Sequence, residues 1–422
     1  MKFLRKAGLI LLPISLWLFA TACGDTYRPV ANPLVGPGGQ PQTAYNAYLL
    51  SSNPNGFGST DQINVSGDTS MQVLSQGRGS HYEAFMPGVS TLLIANSEDD
   101  SVSAFTPSTS ASISTINLLP GSHPVFLGSS QISVMYTVNS GPNSECPTSG
   151  SISSISSSYV LTGTVCVGQN PTVLAQAPNG GNVFVINSGN GSVLTYNPSS
   201  GQTRTLTSAD GLAANPVYVV AGASANYGFV LAQGDGTGPG TLDIVSGVDG
   251  SLAGSQPLGV RPTFGYIDSN LSRLYIVNNG SNTVTVLDIS NLNFSSSTPA
   301  PVLATVDLGA TGGTGPVAVT TLPDKSRFYV ANAGSNNVSV VSQTSFQVLK
   351  TVAVQSNPVW IAADPGSTKV YVVNQGSNTV SVIRTSDNTI TVNLPAPQQD
   401  FNCQNSSTSA CPLQTPMMVL TQ

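Results

Sequence analysis

The side chains in this sequence that could bind a metal ion are two histidines and a cluster of acids. The chain has only two histidines, His81 and His123, and each stands at the start of a short apolar segment. The acidic triplet Glu98, Asp99 and Asp100 follows another apolar run between them. Imidazole and carboxylate groups together suit a divalent cation. These five residues are therefore a candidate metal site, and the alternative is that they are ordinary polar turn residues.

A second set of polar residues recurs immediately before apolar segments, most of which begin with proline. It comprises His81, His123, Asn170, Asn215, Arg261 and Asn357. Side chains that share one position of a repeated unit come together when the units form a ring, so this set could line a ligand-binding rim. Glu83 is an unusual charge within such a segment, and we expect it, like Arg261, to meet ligand or water inside the ring. The alternative is that the position needs a polar residue to bond turn backbone.

Several enzyme classes lack their motifs in this sequence. It contains no G-x-S-x-G, no P-loop, no G-x-G-x-x-G and no C-x-x-C-H motif. Two histidines cannot supply H-E-x-x-H together with further histidine ligands. We therefore expect no cofactor other than a divalent cation at the candidate site.

The composition predicts an all-β fold with many turns. With 42 glycines, 29 prolines and 8% charged residues, the chain is unsuited to long solvated helices. Short apolar runs that end in Asn recur at intervals of roughly 40 to 60 residues. This period is long enough for four strands. The clearest copies are Tyr275–Asn278 (YIVN), Tyr329–Asn332 (YVAN) and Tyr371–Asn374 (YVVN), each followed by a polar turn and a second β-branched run.

These repeats resemble those of the YVTN-repeat β-propeller family, within the superfamily of quinoprotein amine dehydrogenase-like and lactonase-like propellers. The resemblance implies blades of four antiparallel strands, named a to d from the central channel outward. It also implies that the two histidines, which we align at one repeat position, share a face with the acidic triplet. The first b-type run, Ala47–Leu50, has no a-type run before it, and the last a-type run, Met417–Thr421, has no b-type run after it. This offset favours eight blades over the alternative of seven, with the C-terminal strand completing the first blade.

The N-terminus is typical of an export signal. Lys2, Arg5 and Lys6 precede an apolar stretch that is too short to span a bilayer, and small residues then lead to Cys23. This arrangement resembles the bacterial lipoprotein signal, in which that cysteine is lipidated, and the alternative is an ordinary cleaved signal peptide. We expect a signal peptide over 1–22, a Pro/Gly-rich tether over 23–44 and the propeller over 45–422.

Four further cysteines remain in the mature chain, an even number that suggests disulfides in an exported protein. Cys146–Cys166 and Cys403–Cys411 are the favoured pairs, because each would fall within one repeat. The other two pairings, and four free thiols, are the alternatives.

The function these features favour is that of a binding or scaffold protein. Cleavage of the signal would leave ten basic against 19 acidic residues, which makes the chain a poor candidate for binding a phosphate backbone, so we expect no nucleic-acid partner. We expect a monomeric, membrane-anchored lipoprotein of the cell envelope, facing the periplasm or the outside, with a protein or glycan partner. The alternatives are a lactonase-type hydrolase at the channel mouth and a periplasmic protein that carries a cofactor or metal.

Overall fold

The computed structural model describes residues 45–53, 56–107, 111–222, 225–292, 300–397 and 414–422. Within them, strands form eight antiparallel sheets of four strands each. The innermost strand of every sheet contacts the innermost strands of the sheets on either side, which closes the sheets into a ring of blades. The structure confirms the predicted all-β propeller with eight blades.

The blades are numbered in chain order. Blade 1 contains β1 (Asn46–Ser52), β2 (Phe57–Asn64), β3 (Thr69–Arg78) and the last strand of the chain, β32 (Thr415–Thr421). Blade 2 contains β4 (Ser80–Phe85), β5 (Leu92–Asn96), β6 (Ser101–Thr106) and β7 (Ala111–Asn117). Blade 3 contains β8 (Pro124–Gly128), β9 (Val134–Asn139), β10 (Ser151–Ser156) and β11 (Leu161–Cys166). Blade 4 contains β12 (Pro171–Gln176), β13 (Val183–Asn187), β14 (Ser192–Tyr196) and β15 (Thr203–Leu206).

The second half of the ring repeats this order. Blade 5 contains β16 (Pro216–Gly222), β17 (Ala225–Ala232), β18 (Pro239–Ser246) and β19 (Leu252–Val260). Blade 6 contains β20 (Pro262–Asp268), β21 (Arg273–Asn278), β22 (Thr283–Asp288) and β23 (Val302–Asp307). Blade 7 contains β24 (Pro316–Thr321), β25 (Arg327–Asn332), β26 (Asn337–Ser342) and β27 (Val348–Ala353). Blade 8 contains β28 (Pro358–Ala363), β29 (Lys369–Asn374), β30 (Thr379–Arg384) and β31 (Thr389–Pro395).

Helices are confined to single 3₁₀ turns in the described residues. They are Pro178–Gly180, Ser208–Asp210, Gly309–Thr311 and Gln375–Ser377. In this part of the chain no helix has the length and apolar character needed to cross a membrane.

The C-terminal strand closes the ring as the offset of the repeats predicts. β32 pairs antiparallel with β1, from Ala47 opposite Thr421 to Ser52 opposite Thr415. It therefore becomes strand a of blade 1, whose other three strands come from the start of the described chain.

Strands b and c are apolar on both faces because each blade is covered by its two neighbours. One cluster, for example, joins Tyr275 and Val277 of β21 to Val319 of β24 and Phe328 of β25. Every residue of the run Leu274–Val277 is fully buried. Burying an aliphatic or aromatic side chain of this size contributes about 1.5 to 3 kcal/mol, so the stack of blades holds the ring together.

In blades 6, 7 and 8, a basic residue and a tyrosine near the start of strand b bond a residue of the next blade. The side chains of Arg273 and Tyr275 both bond Gln343, which follows strand c of blade 7. The same contacts join Arg327 and Tyr329 to Asn388, and Lys369 and Tyr371 to Asp68. The last of these links crosses from blade 8 to blade 1, so it also strengthens the closure of the ring.

The asparagine that ends strand b is buried and bonds the start of strand c. Asn278 donates from Nδ2 to the Oγ1 atoms of Thr283 (3.1 Å) and Thr285 (2.9 Å). Asn374 makes the same pair of bonds to Thr379 and Ser381. The predicted structural role of these asparagines, bonding the turn that follows strand b, is therefore confirmed.

Candidate functional site

The predicted rim is a ring of exposed residues at the connections from strand d of one blade to strand a of the next. Seven of these connections place a residue with φ of 47° to 63° just before strand a: Gly79, His123, Asn170, Asn215, Arg261, Gly315 and Asn357. Its carbonyl accepts a hydrogen bond of 2.9 to 3.1 Å from the residue after strand b. Left-handed backbone favours Gly and Asn, so this turn explains the recurring asparagines without a ligand.

The alignment of His81 with His123 is wrong by two residues in the structure. Ser80 pairs with Asn96 as Pro124 pairs with Asn139, so the counterpart of His123 in blade 2 is Gly79. His81 instead lies one residue into β4, where the bulge of strand a begins. Its side chain is exposed at the rim, yet desolvation by surrounding protein lowers its pKa.

The structure brings His123, but not His81, to the acidic triplet. The Nδ1 atom of His123 lies 2.8 Å from the carbonyl oxygen of Ser97 and 3.9 Å from Asp100 Oδ1. The Asp100 carboxylate also accepts the backbone N–H groups of Gly121 (2.7 Å) and His123 (2.8 Å). Asp100 therefore holds the turn that presents His123.

The other acids of the triplet do not join a metal cluster. Asp99 bonds Arg78 through both carboxylate oxygens, and Glu98 is exposed. Over the described part of the chain, no group of three or more His, Cys, Asp or Glu side chains is arranged to hold a metal ion. Asp99 instead bonds Arg78 of blade 1, and Asp100 bonds the backbone of the turn before blade 3.

Glu83 does not meet water in the channel, contrary to the expectation from sequence. Its side chain is 0% exposed and lies between blades 1 and 2, where Oε2 accepts a hydrogen bond from Thr60 Oγ1 (3.2 Å). Oε1 has no partner among the described residues. Burial raises the pKa of Glu83 well above its ordinary value, although the hydrogen bond from Thr60 opposes the shift.

Arg261 is a charged rim residue whose side chain remains available to a ligand. Its side chain is exposed, and among the described residues its guanidinium has no hydrogen-bond or ion-pair partner. Asn170 and Asn215 are also exposed but reach Ser188 and Gln233, the residues after strand b of their own blades. Asn357, likewise exposed, completes the set of predicted rim side chains.

A layer of aromatic rings fills the channel, three residues along strand a from the rim residue, and sequence reasoning missed it. Tyr82, Phe126, Tyr218, Phe264 and Trp360 occupy one structural position, each opposite the last residue but one of its strand b. Their ring centroids form a continuous series of contacts between 4.1 and 6.3 Å, from blade 3 through blades 2, 8 and 6 to blade 5. Val173 of blade 4 packs with Phe126 and Tyr218 and completes the layer.

The electrostatics of the two tyrosines agree with a filled channel. Burial is the main cause that raises the pKa of both Tyr82 and Tyr218. Proximity to Tyr82 raises the pKa of Tyr218 further, although the two residues come from blades 2 and 5. The signal in the sequence was an aromatic residue three positions after the rim residue in five repeats.

One of the two favoured disulfides is confirmed. Cys146, in the connection between β9 and β10, bonds Cys166 at the end of β11, with the Cα atoms 5.4 Å apart. Cys403, Cys411 and the lipidation candidate Cys23 lie outside the described residues.

Comparison with known proteins places the chain among β-propellers. Residues 261–407, less than half of the chain, match the family model described as "Lactonase, 7-bladed beta-propeller". The match covers the blades with the clearest repeats, whereas the ring as a whole has eight blades. No match to a curated protein is found.

Solved structures share the architecture at low sequence identity. Dihydro-heme d1 dehydrogenase NirN, solved in complex with DHE, is 11% identical with a TM-score of 0.65, covering 93% of this chain and 76% of its own. A putative 6-phosphogluconolactonase from Bacteroides fragilis is 11% identical with a TM-score of 0.56, covering 91% and 100%. Hydrazine synthase from Kuenenia stuttgartiensis is 16% identical with a TM-score of 0.52, covering 73% and 96%. At these identities the similarity shows the fold alone.

Proposed function

We propose that this protein is an exported, lipid-anchored β-propeller that binds an envelope partner as a scaffold, through the rim around its channel. The observation that carries the proposal is the aromatic layer, defined by Tyr82, Phe126, Tyr218, Phe264 and Trp360. Because these rings occupy the channel, a partner meets a shallow surface of exposed polar side chains rather than a tunnel. Protein-binding surfaces of this kind use a few anchor residues, and Arg is frequent among them.

The left-handed backbone of the rim permits a sharp test. Replacing Asn170, Asn215, Arg261 and Asn357 together by glycine removes four side chains at positions where glycine has no conformational penalty. We expect the variant to keep its melting temperature and to lose its crosslinks to envelope partners in the native membrane, measured by crosslinking mass spectrometry. The matched control is Ser272→Gly/Lys325→Gly, two left-handed positions on the opposite face. Equal crosslinking by the rim variant and the wild type would contradict the proposal.

Lactonase-type hydrolysis is the second candidate, and the family-model match over residues 261–407 favours it. The structure brings few acids or histidines to the channel mouth, and Asp100 and His123 are engaged there with turn backbone. The test is hydrolysis of 6-phosphogluconolactone and of unphosphorylated sugar lactones by the purified protein. Turnover that the glycine variant of the rim abolishes would replace the scaffold proposal with the enzymatic one.

A further inference from the structure

A cleft opens between the outer strands of blades 1 and 2, away from the central channel. Its volume is about 390 Å³, within the range of small-molecule sites. One wall is formed by β3, with Phe57 of β2, and the other by β6 and β7, with Asp99 from the turn before β6.

Gln76 is the feature of this cleft that points to a ligand. The residue lines the cleft and is only 6% exposed, yet its amide has no hydrogen-bond partner among the described residues. Water in the cleft can reach this amide, because it is not among the fully enclosed polar atoms that lack a partner. A ligand able to both donate and accept hydrogen bonds can take the place of that water.

The backbone around Gln76 is held in place by close packing. A Cβ atom on the next residue, Gly77, would lie 2.6 Å from Cγ of the buried Asn96. Glycine therefore lets β3 approach blade 2 closely. This approach fixes the backbone that carries Gln76 at the wall of the cleft.

The charge in the cleft favours a neutral ligand. Asp99 is the one charged side chain among the lining residues, and its Oδ1 lies 2.8 Å from Nε of Arg78. Its Oδ2 accepts the backbone N–H of Arg78 at 2.7 Å. Since Asp99 is already paired, a cationic ligand would have to compete with Arg78 for it.

The remaining lining combines hydroxyl groups with apolar surface. The Oγ atoms of Ser101 and Ser103 accept hydrogen bonds from Asn96 Nδ2, at 3.3 and 2.9 Å, which leaves their O–H groups to donate. Phe57, Leu74 and Phe105 supply apolar surface in the same cleft. A sugar ring has the matching chemistry, because its hydroxyls alternate as donors and acceptors and its C–H face is apolar.

We propose that this cleft binds a neutral saccharide of one or two rings. The Gln76 amide bonds the sugar hydroxyls, and Phe57 and Leu74 pack against the face of the ring. This site is separate from the rim, and the proposal does not depend on the scaffold function.

The test is titration calorimetry of the purified protein with glucose, maltose, N-acetylglucosamine and N,N′-diacetylchitobiose. We expect at least one of these sugars to bind the wild type. Gln76→Met should weaken that binding at least tenfold, and Thr115→Trp should abolish it by filling the cleft from an exposed strand position. The matched control is Gln256→Met, which changes a glutamine of the same 6% exposure on strand d of blade 5.

Each outcome decides the proposal. Failure of all four sugars to bind the wild type, or unchanged binding by Thr115→Trp, would overturn it even if Gln76→Met proved unstable. Loss of sugar binding in the glycine variant of the rim, with Thr115→Trp unaffected, would assign the sugar to the rim instead. Loss of envelope crosslinks with sugar binding intact would confirm that the two sites are independent.

Discussion

At the scale of single residues, the left-handed backbone of the rim explains most of the residue types found there, with one exception. Asn170, Asn215 and Asn357 suit a left-handed position, as asparagine often does. An arginine there pays a conformational cost of about 1 kcal/mol and gains no local hydrogen bond. Arg261 is therefore the rim residue whose identity the turn explains least.

The rim could be predicted from sequence in outline, because proline marks the start of most strands a. Blade 2 has Ser80 where the others have proline, so the alignment placed His81 at the rim position and was off by two residues. Successive side chains of a strand point to opposite faces, so with Tyr82 in the channel layer the next residue, Glu83, is buried between blades. The aromatic layer was missed although five repeats carry an aromatic residue at its position, because the contacts that form it join blades distant in sequence.

Two buried carboxyl groups of the first two blades should make stability pH-dependent. Burial raises the pKa of Glu83, and it raises the pKa of Asp61 to about 6. Both groups keep their protons in the folded state after the unfolded chain has lost them, so stability falls as the pH rises from about 4 to beyond 6. We expect Glu83→Gln/Asp61→Asn to be more stable than the wild type at pH 7.5 by about 3 kcal/mol, and similar at pH 3.5, in urea unfolding.

The control for this prediction is an acid with the opposite shift. Arg384 lowers the pKa of the exposed Asp387, so Asp387→Asn should not stabilise the protein at pH 7.5. A double variant that shows the wild-type dependence on pH would contradict the assignment of Glu83 and Asp61 as buried neutral acids.

At the scale of strands, the apolar b and c runs predicted the blades. A strand that neighbouring blades cover on both faces has an uninterrupted apolar sequence, which is easy to recognise. Blade 1 departs from this pattern in β2, where Ser59, Thr60, Asp61 and Gln62 are all buried. The polar sequence of β2 does not have the apolar run that predicts a strand. In the structure, however, β2 pairs with both β1 and β3. The Arg/Lys and Tyr contacts between blades also escaped prediction, because their partners lie in the next repeat.

The ion pair between blades 8 and 1 should contribute measurably to stability. Lys369 Nζ lies 2.6 Å from both Asp68 Oδ2 and the carbonyl oxygen of Val65, with little exposure of either side chain. Lys369→Met would leave the Asp68 carboxylate without its cation, at a cost of about 3 kcal/mol. Lys350→Met, which removes an exposed bond to the Asp387 carbonyl, should cost less than about 1 kcal/mol. Equal melting temperatures of the two variants would show that the pair adds nothing.

The disulfide in blade 3 should stabilise the protein because it closes a loop in the unfolded chain. Cys146 and Cys166 are 20 residues apart, and closing a loop of that length is worth about 3 kcal/mol. We expect Cys146→Ser/Cys166→Ser to melt several degrees below the wild type without reductant. With reductant the two proteins should melt together, and a difference that persists would point to packing around Cys146 instead.

At the scale of the molecule, ring closure depends on the C-terminus. Deleting Met417–Gln422 removes most of β32 and exposes the edge of β1 and the sides of blades 2 and 8. We expect aggregation, or a loss of stability far beyond the ~1 kcal/mol of a typical point change. Deletion of Gln422 alone leaves β32 in place and should be tolerated, so a long truncation that melts like this control would contradict the role of β32.

Anchoring through Cys23 remains a prediction from the sequence. Cys23→Ser should release the protein into the soluble envelope fraction or block processing of the signal, because the lipid anchor is lost. Membrane fractionation and intact-mass measurement of the mature protein check this. A variant that fractionates with membranes at the wild-type mass would refute lipidation at this residue.

The pairing of β1 with β32 also determines when, during synthesis, the ring can close. Ser59 and Gln414, whose side chains bond each other, are 355 positions apart, so blade 1 lacks its inner strand until the other seven blades have been synthesised. During that time the emerging chain carries an unpaired strand edge at its beginning. We therefore expect the nascent chain to need protection of this edge until β32 is made, and a chain that stops before β32 cannot close the ring.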